Sequence, residues 1–106
     1  MNKEQGEKLI KEFIKDDEAI CHLRNFSGNW NALMAVVEKI LTIHYGWKGI
    51  YNEFDDCPYL RTFGMRDKEG KYMVRINANT LHSADTLIEA TWLAVIDFIQ
   101  YNNQKQ

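Results

Sequence analysis

The chain has 106 residues, a formal net charge of −2, 45% apolar residues and 26% charged ones. That is the size of one domain with one modest core, and the composition excludes a disordered chain. The small net charge leaves no global field to attract DNA or an anionic membrane, so a nucleic-acid role needs a local basic patch.

"KEQGEKLIKEFIK" (3–15) reads as a helix, with Leu9, Ile10, Phe13 and Ile14 on one side. Gly6 weakens its first turn. In the following "DDEAICHLRNFSGN", Ile20, Leu23 and Phe26 either extend a helix or pin a loop. "WNALMAVVEKILTIHY" (30–45) is a strong helix, with Trp30, Leu33, Met34, Val37, Ile40, Leu41 and His44 at helical spacing. Ser27 or Asn29 caps it, and Gly46 suits the position past its end.

Three strands are expected next. "WKGIYNEF" (47–54) is followed by the hairpin "YLRTFGMR" (59–66), "DKEG" (67–70) and "KYMVRINA" (71–78). Asp67 and Gly70 fit a type I turn. In that register Phe63 and Met65 share the core face with Tyr72, Val74 and Ile76. The other face carries Thr62, Gly64, Arg66, Lys71, Met73 and Arg75. A last helix spans 83–102, with Ser83 as its cap and Asp85 in its first turn.

The chain thus reads as one α+β domain, 1–106, with a three-stranded antiparallel meander in the order α-α-β-β-β-α. The 30–45 and 83–102 helices pack on the Phe63/Val74/Ile76 face, and the first helix covers the opposite face to complete a sandwich. The last helix is apolar around most of its circumference. Thr86, Glu89, Asp97 and Gln100 form one narrow polar strip, with Leu93 inside it and Trp92 and Ile96 on its margin. One sheet face covers a stripe somewhat over ~100° wide. A second surface is therefore required: the 30–45 helix, or a second protomer that would make Trp92, Leu93 and Ile96 an interface.

"SGNWNALMAVVEKI", the short strands after it and the closing "ADTLIEATWLAVIDFIQY" resemble the phage α-β-α sandwich domain family over roughly residues 27–102, together with the N-terminal "LIKEFI" helix. These are small proteins of phages and prophage-like regions of the gut Bacteroidetes type. The resemblance implies a fold and a phage context, with no established activity and no catalytic residues to carry over. The segment before Trp30 is shorter than the family pattern.

Chemistry-bearing patterns are few. His22, His44 and His82 show no ligand spacing, and a zinc site from Cys21, His22, Cys57 and His82 competes with the simpler reading of scattered side chains. "NEFDDCP" and "KDDE" read as solvated turns and do not match a calcium loop. No serine or cysteine has an evident base partner, and no glycine-rich loop cradles a phosphate. The one constellation kept is the outer hairpin face, where Arg66, Lys71 and Arg75, with Thr62 opposite Arg75, form a candidate site for a small anionic ligand. Acidic residues of the first helix, or solvent, are the alternative cover for it.

The expectation is a non-enzymatic accessory protein without cofactor or metal, acting through its surface on a protein partner, a host factor or a second copy of itself. The alternative is a protein that binds or sequesters a signalling nucleotide in phage counter-defence. "MNKEQGEKLIKEF" lacks the apolar run of an export signal, no segment has the ~18 uninterrupted apolar residues of a spanning helix, and Cys21 and Cys57 read as free thiols. A cytoplasmic location without membrane or nucleic-acid partners follows as an expectation.

Overall fold

The structure is a computed structural model that describes residues 2–45 (44 and 45 for the backbone only), 65–76 and 81–104. The elements in chain order are α1 (Lys3–Ile14), α2 (Trp30–Tyr45), β1 (Tyr72–Val74), β2 (His82–Ala84) and α3 (Leu87–Gln104). The fold is α+β, with three helices and a two-stranded antiparallel sheet among the described residues.

A reciprocal cap holds the start of α1. The Gln5 N–H donates to Asn2 Oδ1 at 2.8 Å, and the Asn2 N–H donates to Gln5 Oε1 at 3.1 Å. Gly6, Ile10 and Ile14 are buried at i, i+4 and i+8. Residues 15–29 form turns rather than a helix. They are pinned by Phe26, which has no solvent exposure. The Glu7 carboxylate reaches this loop from α1, accepting from the Asn25 N–H at 2.7 Å and the Phe26 N–H at 3.0 Å. Asn29 caps α2, its Oδ1 accepting from the Asn31 and Ala32 N–H groups.

β1 pairs with β2 in the register Tyr72↔Ala84, Met73↔Ser83, Val74↔His82. Ser83 therefore belongs to a strand, and Asp85 precedes the helix. The expected start of the last helix moves to Leu87, where Thr86 Oγ1 accepts from the Glu89 N–H at 3.2 Å. β2 is a three-residue "HSA" with no alternation or β-branching to announce it.

The hairpin register differs from the expected one by a residue. Arg66 bridges Tyr72, and the Met73 N–H donates to the Met65 carbonyl at 3.0 Å. The loop between the strands is therefore 68–70. The Gly70 N–H closes a turn onto the Asp67 carbonyl, and Gly70 sits at φ 82°, the left-handed position such a three-residue loop requires. One residue of slip exchanges faces. Met65 leaves the core face and is 49% exposed, while Arg66 moves to the face of Tyr72. The expected strand 47–54, and residues 59–64 of the next one with Phe63, lie outside the described residues; of the expected third strand, 71–78, Tyr72–Val74 forms β1, whose partner is the unexpected β2.

Tyr72, Val74, His82 and Ala84 turn toward α3. His82 Nε2 stands 3.6 Å from Asp97 Oδ2 on that helix. The other flanks of α3 meet α1 and α2. The apolar collar of the last helix is thus covered by the sheet, α2 and α1 together. α1 lies against α3 instead of the opposite sheet face. Among the described residues the central layer is a helix, so the sandwich expected around the sheet is replaced by one around α3. A Cβ placed on Gly6 would lie 2.8 Å from Trp92 Cη2 and 3.1 Å from Ile96 Cδ1, nearer still to Trp92 Cζ2. Glycine is what lets the backbone of α1 approach the indole.

Candidate functional site

The residues expected at a partner interface fall inside the chain. Trp92 is 6% and Ile96 5% exposed, both beneath α1, and Leu93 is half-buried. Trp92 and Ile96 have already been covered by this chain's own first helix, so the interface reading is corrected for both. Gly6 was the signal in the sequence: it marked a close approach, not only a weak first turn.

The basic hairpin face is also redistributed. Arg66 lies over the Tyr72 ring, its Cζ 4.3 Å from the centroid, and its guanidinium donates to the Tyr72 hydroxyl. Lys71 is exposed and closes the turn opposite Asp67, whose Oδ1 accepts from the Lys71 N–H at 2.9 Å. Arg75 is half-buried on the face opposite Val74. The register splits Arg66 from Arg75, so the three cations do not form one face. Thr62 lies outside the described residues.

A different surface brings functional groups together. Two adjoining open hollows, of about 350 and 520 Å³, share Lys39 and Ile43. The first lies between the loop after α1 and the outer side of α2, along Asp17, Ile20, Ala35, Glu38 and Thr42. The second lies where the ends of the helices meet, along Glu12, Phe13, Asp16, Asn102 and Asn103. The helices run so that all three C-terminal ends converge there. Gly6 faces Trp92 and Ile96 while Phe13 lines one hollow with Asn102, and Glu7 holds the loop before α2 while Asp16 lines that hollow with Ile43. Ile43 is 58% exposed, the largest exposure of any large apolar side chain among the described residues.

The lining of this groove mixes apolar side chains (Phe13, Ile20, Ala35 and Ile43) with the carboxylates of Glu12, Asp16, Asp17 and Glu38. Lys39 Nζ holds Asp17 Oδ2 at 3.1 Å, and Lys15 Nζ holds Glu12 Oε1 at 2.6 Å. The hydrogen bond from Lys39 keeps the Asp17 carboxyl below its ordinary value of 3.8, assisted by the N–H groups of Ala19 and Ile20 against partial desolvation. Glu12 raises the Lys15 ammonium above its ordinary 10.5.

Among the described residues no three His, Cys, Asp or Glu side chains are grouped to hold a metal ion, and no helix is long and apolar enough to cross a membrane. Cys21 is an exposed free thiol, and Cys57, also read as a free thiol, lies outside the described residues. No family model matches the chain, and no curated protein or solved structure matches it.

Proposed function

We propose that this chain is a small, non-enzymatic binding protein that acts by docking a partner protein, in the manner of the phage and prophage accessory proteins its sequence resembles. The cytoplasm is its place of action in this reading. The observation that carries it is Ile43, 58% exposed and lining both hollows of an open groove. Contiguous exposed apolar surface bordered by polar groups is characteristic of interaction sites. Affinity capture from cells, run in parallel with the wild type and Ile43→Asp, tests this. A protein retained by the wild type and lost from the variant supports docking through the groove. Equal retention by both places the working surface elsewhere.

A second reading, capture of a signalling nucleotide in counter-defence, is favoured by the exposed Arg66 guanidinium over Tyr72, a ledge suited to a phosphate or a base. Native mass spectrometry of gently purified protein separates the two. A bound mass of a few hundred daltons, lost in Arg66→Ala, would move the proposal to the hairpin.

A further inference from the structure

We infer that the groove at the C-terminal ends of the three helices takes a cationic, amphipathic segment of the partner protein, seating aliphatic side chains on its apolar lining and lysines or arginines against its carboxylates. The inference rests on the docking reading above and names the chemistry of the occupant.

The apolar lining sets the first requirement. Phe13, Ile20, Ala35 and Ile43 offer apolar surface in hollows that are open on one side. A site for a small molecule encloses most of its ligand's surface. An open hollow instead buries one face of something larger, such as a row of side chains projecting from another protein. Two hollows joined across Ile43 suit successive apolar side chains of one segment.

Charge sets the second requirement. Glu12, Asp16, Asp17 and Glu38 stand around the groove, with Lys39 as the cation lining it. Lys39 is engaged by Asp17 and Glu12 by Lys15, whereas Asp16 and Glu38 form no ion pair among the described residues. The backbone adds to this. Glu12 and Phe13 lie in the last turn of α1, Ile43 in that of α2, and Asn102 and Asn103 in that of α3. Each helix end carries about half a negative charge on its terminal carbonyls, effective within the last turn. Three such ends and a carboxylate rim disfavour an anionic occupant and favour a cationic one. The apolar lining in turn requires that the cation come with aliphatic surface.

The test is nitrogen-15 NMR titration of the intact chain with three synthetic helical peptides. They share one leucine face, and their polar faces are all lysine, all glutamine or all glutamate. The lysine peptide is expected to shift the amides of Ala35, Thr42, Ile43 and Asn102 and to bind about tenfold more tightly than the glutamine peptide. The doubly substituted chain Asp16→Asn, Glu38→Gln should weaken the lysine peptide roughly fivefold and leave the glutamine peptide unchanged. Both side chains are exposed, so the variant is expected to fold. Equal binding of the lysine and glutamine peptides at the groove would overturn the cationic inference and leave docking there intact, as would tighter binding of the glutamate peptide. If no peptide shifts the groove amides, or the lysine peptide shifts only other surfaces, both the inference and the docking reading fail.

Discussion

α1 and α3 meet at two places, and the two differ in almost every respect. At Gly6 the helices approach until a missing Cβ is what lets the Trp92 ring fit. Seven residues further along α1, roughly 10 Å at the helical rise, Phe13 stands beside an open hollow of about 520 Å³ bounded by Asn102 and Asn103. The side chain at a contact helps set the distance between helix axes, and at Gly6 the close approach needs a residue without a Cβ. Apolar side chains occur at both ends. What separates a structural seam from a candidate docking surface is coverage, and coverage depends on where the third helix and the loop run.

The largest expected effect is at the seam. Ile96→Asp places a charge at a side chain 5% exposed beneath α1. An unpaired buried charge costs several kcal/mol, enough to consume much of a small domain's stability. Loss of the cooperative unfolding transition is expected by circular dichroism; a variant that stays folded would mean that α1 does not cover α3. Gly6→Ala comes next. Alanine favours a helix over glycine by about 1 kcal/mol, but its methyl must displace the Trp92 ring, and overpacking costs about 1–3 kcal/mol. A net loss in urea denaturation is expected, and Gly6→Ala combined with Trp92→Leu should lose less than the sum of the two single changes.

Glu7 is the strap between the seam and the loop before α2. Its two oxygens take the Asn25 and Phe26 N–H groups. Hydrogen bonds to a charged group contribute about 1.5–3 kcal/mol, and water replaces part of that at the exposed Asn25 amide. Glu7→Ala is therefore expected to destabilise by about 1–2 kcal/mol, with Glu7→Gln, which keeps one acceptor, near half of that. Faster hydrogen exchange at the Phe26 amide in Glu7→Ala would locate the loss. An unchanged rate would show that the strap does not hold the loop.

Acid should loosen the groove end before it touches the seam. Asp17 titrates below its ordinary value because Lys39 donates to it. A depressed carboxyl contributes its stabilisation fully above the unfolded-state value and loses it as the pH falls through the folded one. The small stability difference between the wild type and Asp17→Asn should thus be present at neutral pH and vanish well below pH 3.8. A difference that persists in acid would mean that the carboxylate's charge is not what holds Lys39.

The helices were legible because a period of 3.6 residues is hard to disguise over twelve or more positions. Leu9, Ile10, Phe13 and Ile14, then Leu33, Val37, Ile40 and Leu41, all face inward as their spacing requires, wholly or in part. The sheet was less so. The Asp67–Gly70 stretch fits a two-residue and a three-residue loop equally well as letters, and only the φ of Gly70 decides between them. That single choice moved Met65 outward and parted Arg66 from Arg75. The circumference of α3 correctly demanded more than one cover, but α1 was not the expected one, because a glycine's low helix propensity does not announce the close contact that a bare backbone permits. The groove had no signature at all: Phe13, Ile20, Ile43 and Asn102 are distant in sequence and come from four segments.

The smallest expected effect falls on the surface proposed to do the work. Ile43→Asp introduces the same charge as Ile96→Asp, also onto a helix that contacts the core, but at a side chain 58% exposed. Water already hydrates most of that position, so little desolvation opposes the carboxylate, and surface changes of this kind stay within about ±0.5 kcal/mol. The added charge lies in the last turn of α2, where a negative group is mildly unfavourable, so the sign should be slightly destabilising. Denaturation midpoints measured side by side for the two variants give the contrast directly. A loss of more than about 1 kcal/mol in Ile43→Asp, beyond the range of exposed sites, would mean that this side chain is buried by the chain in solution. The groove would then be closed, and the docking reading would lose the observation that carries it.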